Sequence, residues 1–219
     1  MVPPWRVERV SGPAGELHAA SAAALGEEGL ERTARILVAG SPAVVLGSHE
    51  PEDWFDPAAL RRAGLGLARR RSGGGAVLVG PGLSVWVDFV IPAGDPLWDD
   101  DVGRAAWWVG DLWASVVDGS EVWRGAMRAN AWSPTVCFAG LGPGEVTLGG
   151  RKVVGISQRR TPRGALFQTA ALLEWRPEDY TSLLRAIPGD PAVLASSAVG
   201  LGAAAEERLE SDLTARLMT

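Results

Sequence analysis

The chain has 219 residues, 47% of them hydrophobic, and a net charge of −5. That suits one domain with a real core, argues against a general nucleic-acid binder, and includes no apolar run of the ~18 residues a membrane helix needs. One cysteine, Cys137, and two histidines, His18 and His49, are too few for a disulfide, a Cys-rich metal site or a histidine-based triad.

The N-terminus lacks the basic start and long apolar run of a signal peptide, so a cytoplasmic location is expected. Residues 5–11 read as a strand. Residues 14–34, rich in Ala and Glu, read as a helix that Gly26 and Gly29 weaken. "RILVAG" and "PAVVLG" are two short strands. "DPAALRRAG" is a short helix with Asp56 as N-cap, Pro57 at its first position and Gly64 after its end; it feeds the segment "LGLARRRSGGG". Residues 76–79 and 83–91 flank Gly80-Pro81-Gly82 and predict two strands joined by a tight turn.

Residues 95–119 carry apolar positions 102, 105, 109, 112, 113 and 116 at helical spacing, with Asp99–Asp101 suited to a helix N-terminus. Residues 120–144 read as an extended loop region. A meander follows: strand "EVTL", turn "GG", strand "RKVVGISQ", turn "RRTPRG", strand "ALFQTAALLEW". The end holds a short helix near 177–186, a Pro/Gly-broken stretch and a charged helix from about 203. Frequent hairpins without strict βαβ alternation predict an α+β fold. One domain over 1–219 is expected, with no C-terminal accessory domain.

Two stretches carry chemistry. In "RRRSGGGAVLV", Gly73, Gly74 and Gly75 let the backbone approach a ligand and turn its N–H groups inward, beside arginines that can bind carboxylate or phosphate. By itself it also fits a glycine turn between strands. In "GGRKVVGISQ", Lys152 is the one lysine among 21 basic residues. A chain that uses arginine everywhere else keeps here a compact, movable ammonium. A lysine at a strand's start can equally snorkel to solvent. Gly155 in mid-strand marks close approach of a backbone or ligand. Among the remaining singled-out residues, Tyr180 reads as packing, His49 as a solvated loop histidine, and Asp88 as a strand acid that pairs with an arginine.

Taken in order, "PAVVLGSHEP", "RRRSGGGAV", "GGRKVVGISQRRTPRG" and "FQTAALL" resemble the lipoate–protein ligase A family, within the wider group of biotin and lipoate protein ligases. The resemblance spans roughly residues 13–175. It implies a class II synthetase-like, biotin-ligase-like mixed and largely antiparallel sheet flanked by helices. It also implies activation of lipoate or octanoate with ATP and Mg²⁺ as an acyl-adenylate, then transfer to a lysine of a lipoyl carrier domain, of the glycine-cleavage H protein or dehydrogenase E2 type. Lys152 would contact the acyl carboxylate and phosphate. Arg70, Ser72, Gly73, Gly74, Gly75, Ala76 and Val77 would form the ligand-facing loop, with Gly155 and Ser157 opposite.

Ligases of the family carry His-Asp after the glycine-loop strand, where this chain has Leu78-Val79-Gly80, and a His-Gly-Thr or His-Gly-Ser triplet where it has Gln168-Thr169-Ala170. A second resemblance is to the octanoyltransferases of the superfamily with a Cys-Phe pair fifteen residues before the lysine. Cys137 stands at that spacing from Lys152. In that reaction the cysteine takes octanoyl from an acyl carrier protein as a thioester, without ATP. A non-catalytic acyl-binding member is the remaining expectation.

Overall fold

The computed structural model describes residues 4–218, so the predicted single domain over 1–219 extends past the described residues at both ends. Ten strands form two sheets. The large sheet has the order β1 (Arg6–Gly12), β2 (Thr33–Ala39), β6 (Ser84–Pro92), β10 (Gly164–Leu172), β9 (Arg151–Thr161), β8 (Val146–Leu148), β7 (Ser120–Val122). Only its β1–β2 pair is parallel. The small sheet has β3 (Ala43–Leu46) between β4 (Gly66–Arg69), parallel to it, and β5 (Val77–Val79), antiparallel. This is the α+β, largely antiparallel architecture that the sequence predicts.

Strand alternation sorts the side chains into layers. Val85, Val87, Phe89 and Ile91 of β6 and Phe167 of β10 face a core closed by α3 (Trp107–Ala114) and α6 (Glu206–Leu217), through Trp113, Leu209 and Leu213. The opposite face of the large sheet, with Leu37, Trp86 and Leu172, packs on Val45, Val77 and Val79 of the small sheet and on Leu17 of α1 (Ala14–Ala24). The outer face of the small sheet is covered by α2 (Pro57–Arg62), α4 (Pro177–Leu183) and α5 (Pro191–Ser197), through Leu60, Leu183 and Leu194. Tyr180 is buried there, as predicted, and its hydroxyl accepts from Leu78 N at 3.0 Å.

The structure departs from the sequence expectations where turn chemistry or strand pairing outweighs periodicity. The helix expected over 14–34 stops at Ala24; Gly29 adopts φ +69°, and Thr33 already pairs in β2. The helix expected over 95–119 is confined to Trp107–Ala114. Before it, Asp95, Asp99 and Asp101 accept hydrogen bonds from the backbone N–H of Leu97, Asp101 and Gly103, local turns that compete with helix. Residues 76–79 and 83–91 are strands but not a hairpin: β5 pairs with β3 and β6 with β2 and β10. Gly80-Pro81-Gly82 carries the chain from one sheet to the other. A Cβ on Gly80 would stand 2.8 Å from Pro42 Cα.

Smaller differences follow the same logic. "LGLAR" contains edge strand β4, and Ser120–Val122 adds edge strand β7 within the expected loop. The turn "RRTPRG" shrinks to Pro162-Arg163, because β9 runs on to Thr161. The Pro/Gly-broken stretch contains α5, capped by Asp190, which accepts from Ala192 N, and opened by Pro191.

Candidate functional site

The site lies between the two sheets. Its lower wall is a row across three strands set by register: Asp88 of β6 faces Gln168 of β10, which faces Ser157 of β9. One residue pair along, Trp86, Ala170 and Gly155 form a second row on the same face. Small residues at 170 and 155 leave space above the sheet, and a Cβ on Gly155 would stand 3.1 Å from the Phe138 ring.

The upper wall is the glycine loop between β4 and β5. Arg70 is buried, and its guanidinium donates to the carbonyls of Val45, Gly73 and Gly75 at 2.7–3.1 Å. Arg69 holds the neighbouring turn through the carbonyls of Gly47 and Glu50. Arg70, expected to face the ligand, lines the adjoining slot and also shapes the loop, turning carbonyls toward itself. Among the described residues, the N–H groups of Gly73, Gly74 and Gly75 have no acceptor, and these three glycines line a polar cavity of about 260 Å³. Unpaired backbone N–H groups in a glycine turn form an anion-receptive cradle. Gly74 takes φ +96°, a conformation that requires glycine.

Lys152 forms the far side of that cavity and is 3% exposed. Its Nζ pairs with Glu145 Oε1 at 2.7 Å and donates to the carbonyls of Cys137 at 2.8 Å and Gly140 at 3.1 Å. Phe138 adds a ring face at 4.9 Å. A buried ammonium persists only with such partners, so the snorkelling alternative does not describe this lysine. Glu145 is a residue the sequence reading missed. Its Oε1 also accepts from Ile156 N and its Oε2 from Gly142 N, and the register shift between Val146 and Thr147 lies beside it.

A second, apolar slot, about 30 Å³ and therefore narrow, adjoins the polar cavity. Cys137, Ile156 and Ser157 border both. Cys137 Sγ is 3.9 Å from Lys152 Nζ. Val77 lines the slot, whereas Ala76 turns into the outer core and its N–H donates to Thr135 O.

A buried hydrogen-bond chain runs along the slot. Ser72 Oγ lies 2.9 Å from Ser157 Oγ and donates to Gln168 Oε1 at 2.7 Å. That uses Ser72's one proton, so Ser157 donates to Ser72. Gln168 Nε2 donates to Asp88 Oδ2 at 3.1 Å and to His18 Nδ1 at 2.8 Å. Asp88 also accepts from Trp86 Nε1 at 2.8 Å. The arginine the sequence reading expected is Arg35, its register partner on β2, which acts on its charge while the direct contacts are these hydrogen-bond donors. Burial raises the Asp88 pKa to about 6, against the smaller effect of these bonds, and it is ionised at neutral pH. Burial, with Arg70 nearby, lowers His18 to about 3, so the ring is neutral. His49 is exposed and reaches only Ser48 Oγ, as a loop histidine does.

Comparisons with known proteins bear on the fold and the family. No curated protein matches the sequence at significant similarity. The chain is similar in structure to lipoate-protein ligase A bound with ATP, at TM-score 0.72 and 15% identity over 97% of this chain and 83% of that one. It is also similar to a bi-partite lipoate protein ligase of Thermoplasma acidophilum determined with its E2 lipoyl domain, at TM-score 0.71 and 14% identity over 97% and 82%. A further T. acidophilum structure, with bound lipoic acid, matches at TM-score 0.70 and 15% identity over 97% and 82%. At these identities the likeness is one of fold. The sequence itself matches the family model for the lipoyl protein ligase A/B catalytic domain over residues 16–195, more than half its length. The chain therefore belongs to the lipoyl protein ligase A/B catalytic-domain family, enzymes of the ligase or transferase type.

Proposed function

We propose that residues 1–219 act as one catalytic domain that activates lipoate or octanoate with ATP and passes the acyl group to a lysine of a lipoyl carrier domain. The observation that carries this reading is that an apolar slot and a larger cavity lined by Lys152 meet at Cys137, Ile156 and Ser157. The apolar slot, about 30 Å³ in this structure, would widen to take an unbranched acyl chain. The larger cavity, lined by Lys152 and by three glycines whose N–H groups have no acceptor among the described residues, suits phosphate.

In the first step an acyl carboxylate oxygen attacks the α-phosphorus of ATP and pyrophosphate leaves. Both reactants are anionic, and the Lys152 ammonium between them offsets their repulsion and stabilises developing charge. Its three present partners would yield one position to the incoming oxygen, while Glu145 keeps it oriented. In the second step the acceptor lysine amine attacks the acyl carbonyl, AMP leaves, and the amine loses a proton. Among the described residues, no three His, Cys, Asp or Glu side chains gather as a metal site. Mg²⁺ would thus enter held by the ATP phosphates, its usual mode in nucleotide sites.

One observation favours a second reading. Cys137 borders both cavities, and its sulfur lies 3.9 Å from Lys152 Nζ. In that reaction the thiol would attack a carrier-protein thioester, release the carrier's thiol, and later yield octanoyl to the acceptor lysine. The test supplies an apo lipoyl domain with either ATP, Mg²⁺ and acid, or octanoyl-acyl carrier protein, and weighs every protein by mass spectrometry. Acceptor modified only with ATP supports the ligase. An octanoyl adduct on Cys137 supports the transferase. Transfer under neither condition sinks both.

A further inference from the structure

We propose that His18 is a specificity-determining residue. It donates a hydrogen bond from Nε2 to an acceptor atom carried near the far end of the acyl chain, so the slot selects a chain with a distal heteroatom over a plain hydrocarbon of equal length. This rests on the reading of the slot as the acyl site and extends it from chain to chain end.

The argument begins with proton positions. Asp88 Oδ2 accepts only, so the Gln168 atom 3.1 Å from it must be the amide nitrogen. That same nitrogen lies 2.8 Å from His18 Nδ1. Nδ1 is therefore the accepting nitrogen, and the neutral ring carries its proton on Nε2. Nε2 is buried and has no partner. His18 is 4% exposed, stacks on Trp86 at 4.2 Å between ring centroids, and lines the apolar slot.

Position along the slot decides which part of the ligand it meets. Cys137, Ile156 and Ser157 are shared with the polar cavity; His18, Trp86 and Val79 line the slot alone. A carboxylate near Lys152 thus leaves the chain's far end toward His18. Two residues lining the slot have a buried donor without an acceptor, His18 at Nε2 and Arg70 at Nε. The Arg70 guanidinium is already committed to three loop carbonyls, which leaves the His18 donor, costly to leave unpaired. A site of that kind discriminates against the analogue that cannot satisfy it more sharply than a purely apolar site does. The ring sulfurs of lipoate are acceptors of that kind, if weak ones; the methyl terminus of octanoate offers none.

The experiment is calorimetric titration of the full chain with lipoate and with octanoate, without ATP, for wild type and His18→Phe. The phenyl ring keeps the stacking on Trp86 and removes the donor. Wild type is expected to bind lipoate about tenfold more tightly than octanoate. The variant should bring the two within about twofold, by weakening lipoate while octanoate holds. An unchanged ratio overturns the inference. Should the variant fail to fold, wild type alone decides: an eight-carbon acid with a ketone near its far end must bind about tenfold more tightly than octanoate, and equal affinities overturn the assignment. If wild type binds neither lipoate nor octanoate, the functional reading falls and takes the inference with it; if it binds both equally, only His18's role falls.

Discussion

At the scale of single residues, Lys152 and Glu50 make the sharpest demands. Lys152 is held by one carboxylate and two carbonyls arranged around a point charge. A planar guanidinium is larger and directs its donors as a fork, so it cannot use that nest. Lys152→Arg should lower transfer by about 10²–10³-fold, with acid binding less affected, measured as kcat and KM for the acid; a variant at wild-type rate would remove Lys152 from the chemistry.

Glu50 sits below the glycine loop, accepts from Gly47 N at 3.0 Å, and has its other oxygen buried without a partner. Burial raises its pKa from 4.5 to about 7. Between those values the folded state holds a proton that the unfolded state has released, so this group's contribution falls as pH rises through the window. His18, lowered from 6.5 to about 3, acts oppositely: the unfolded state binds the proton between those values, and stability rises with pH. In wild type the two partly cancel near pH 5–6. Glu50→Gln keeps an acceptor for Gly47 and removes one side of the balance. The variant's melting temperature should therefore gain on wild type from pH 4.5 to 7.5, by up to about 3 kcal/mol in stability. A pH-independent difference between the two melting curves would count against this account of Glu50.

Lys152 stood out in the sequence because it is the only lysine, and the glycine loop, which alone also fits a turn, because it pairs with that lysine's strand in one order. Asp88 was visible only as a strand acid, and His18 and Gln168 gave no sign of a shared site. Gln168 stands 150 positions from His18 and 80 from Asp88, and only strand register and the packing of α1 bring the three together.

At the scale of elements, the loop is fixed by contacts that no side chain could share. A Cβ on Gly47 would stand 1.8 Å from Gly74 O, and one on Gly75 2.6 Å from the Thr135–Val136 peptide. Gly47→Ala must push the loop outward, and the three glycines that line the Lys152 cavity go with it. The expected cost in stability is about 1–3 kcal/mol, with a larger loss in nucleotide binding, read by melting temperature and by titration with ATP. Nucleotide binding at wild-type strength would show that the loop does not hold phosphate. Periodicity served the sequence reading well where one face of an element meets one core, as in α6, whose Leu209, Leu213 and Leu217 share one core. It misled where a segment serves two sheets. "AVLV" and "SVWVDFVIP" read as partners because a short glycine turn lies between them, yet each is claimed by a different neighbour. The same holds for Asp95–Asp101, where carboxylates bind backbone N–H groups before a helix can form.

At the scale of the molecule, the site occupies a seam. Behind the large sheet, α3 and α6 close one core; outside the small sheet, α2, α4 and α5 close another. Between them the two sheets meet through Val45, Val77 and Val79 on one side and Leu37, Trp86 and Leu172 on the other, with the polar chain from Ser157 to Asp88 beside that contact. A ligand in the slot touches both sheets at once, so its binding free energy couples them. At a hundredfold excess over its dissociation constant it would add about 2.7 kcal/mol to global stability. Locally, it would suppress openings that separate the glycine loop from β9. Hydrogen exchange with and without lipoate separates this from a ligand that rests on one sheet. Slower exchange should appear together in residues 70–79 and 152–158, while α3, sealed behind the large sheet, changes only as much as global stability does. Protection confined to one of the two segments would place the acid on a single wall and break the link between the glycine loop and Lys152.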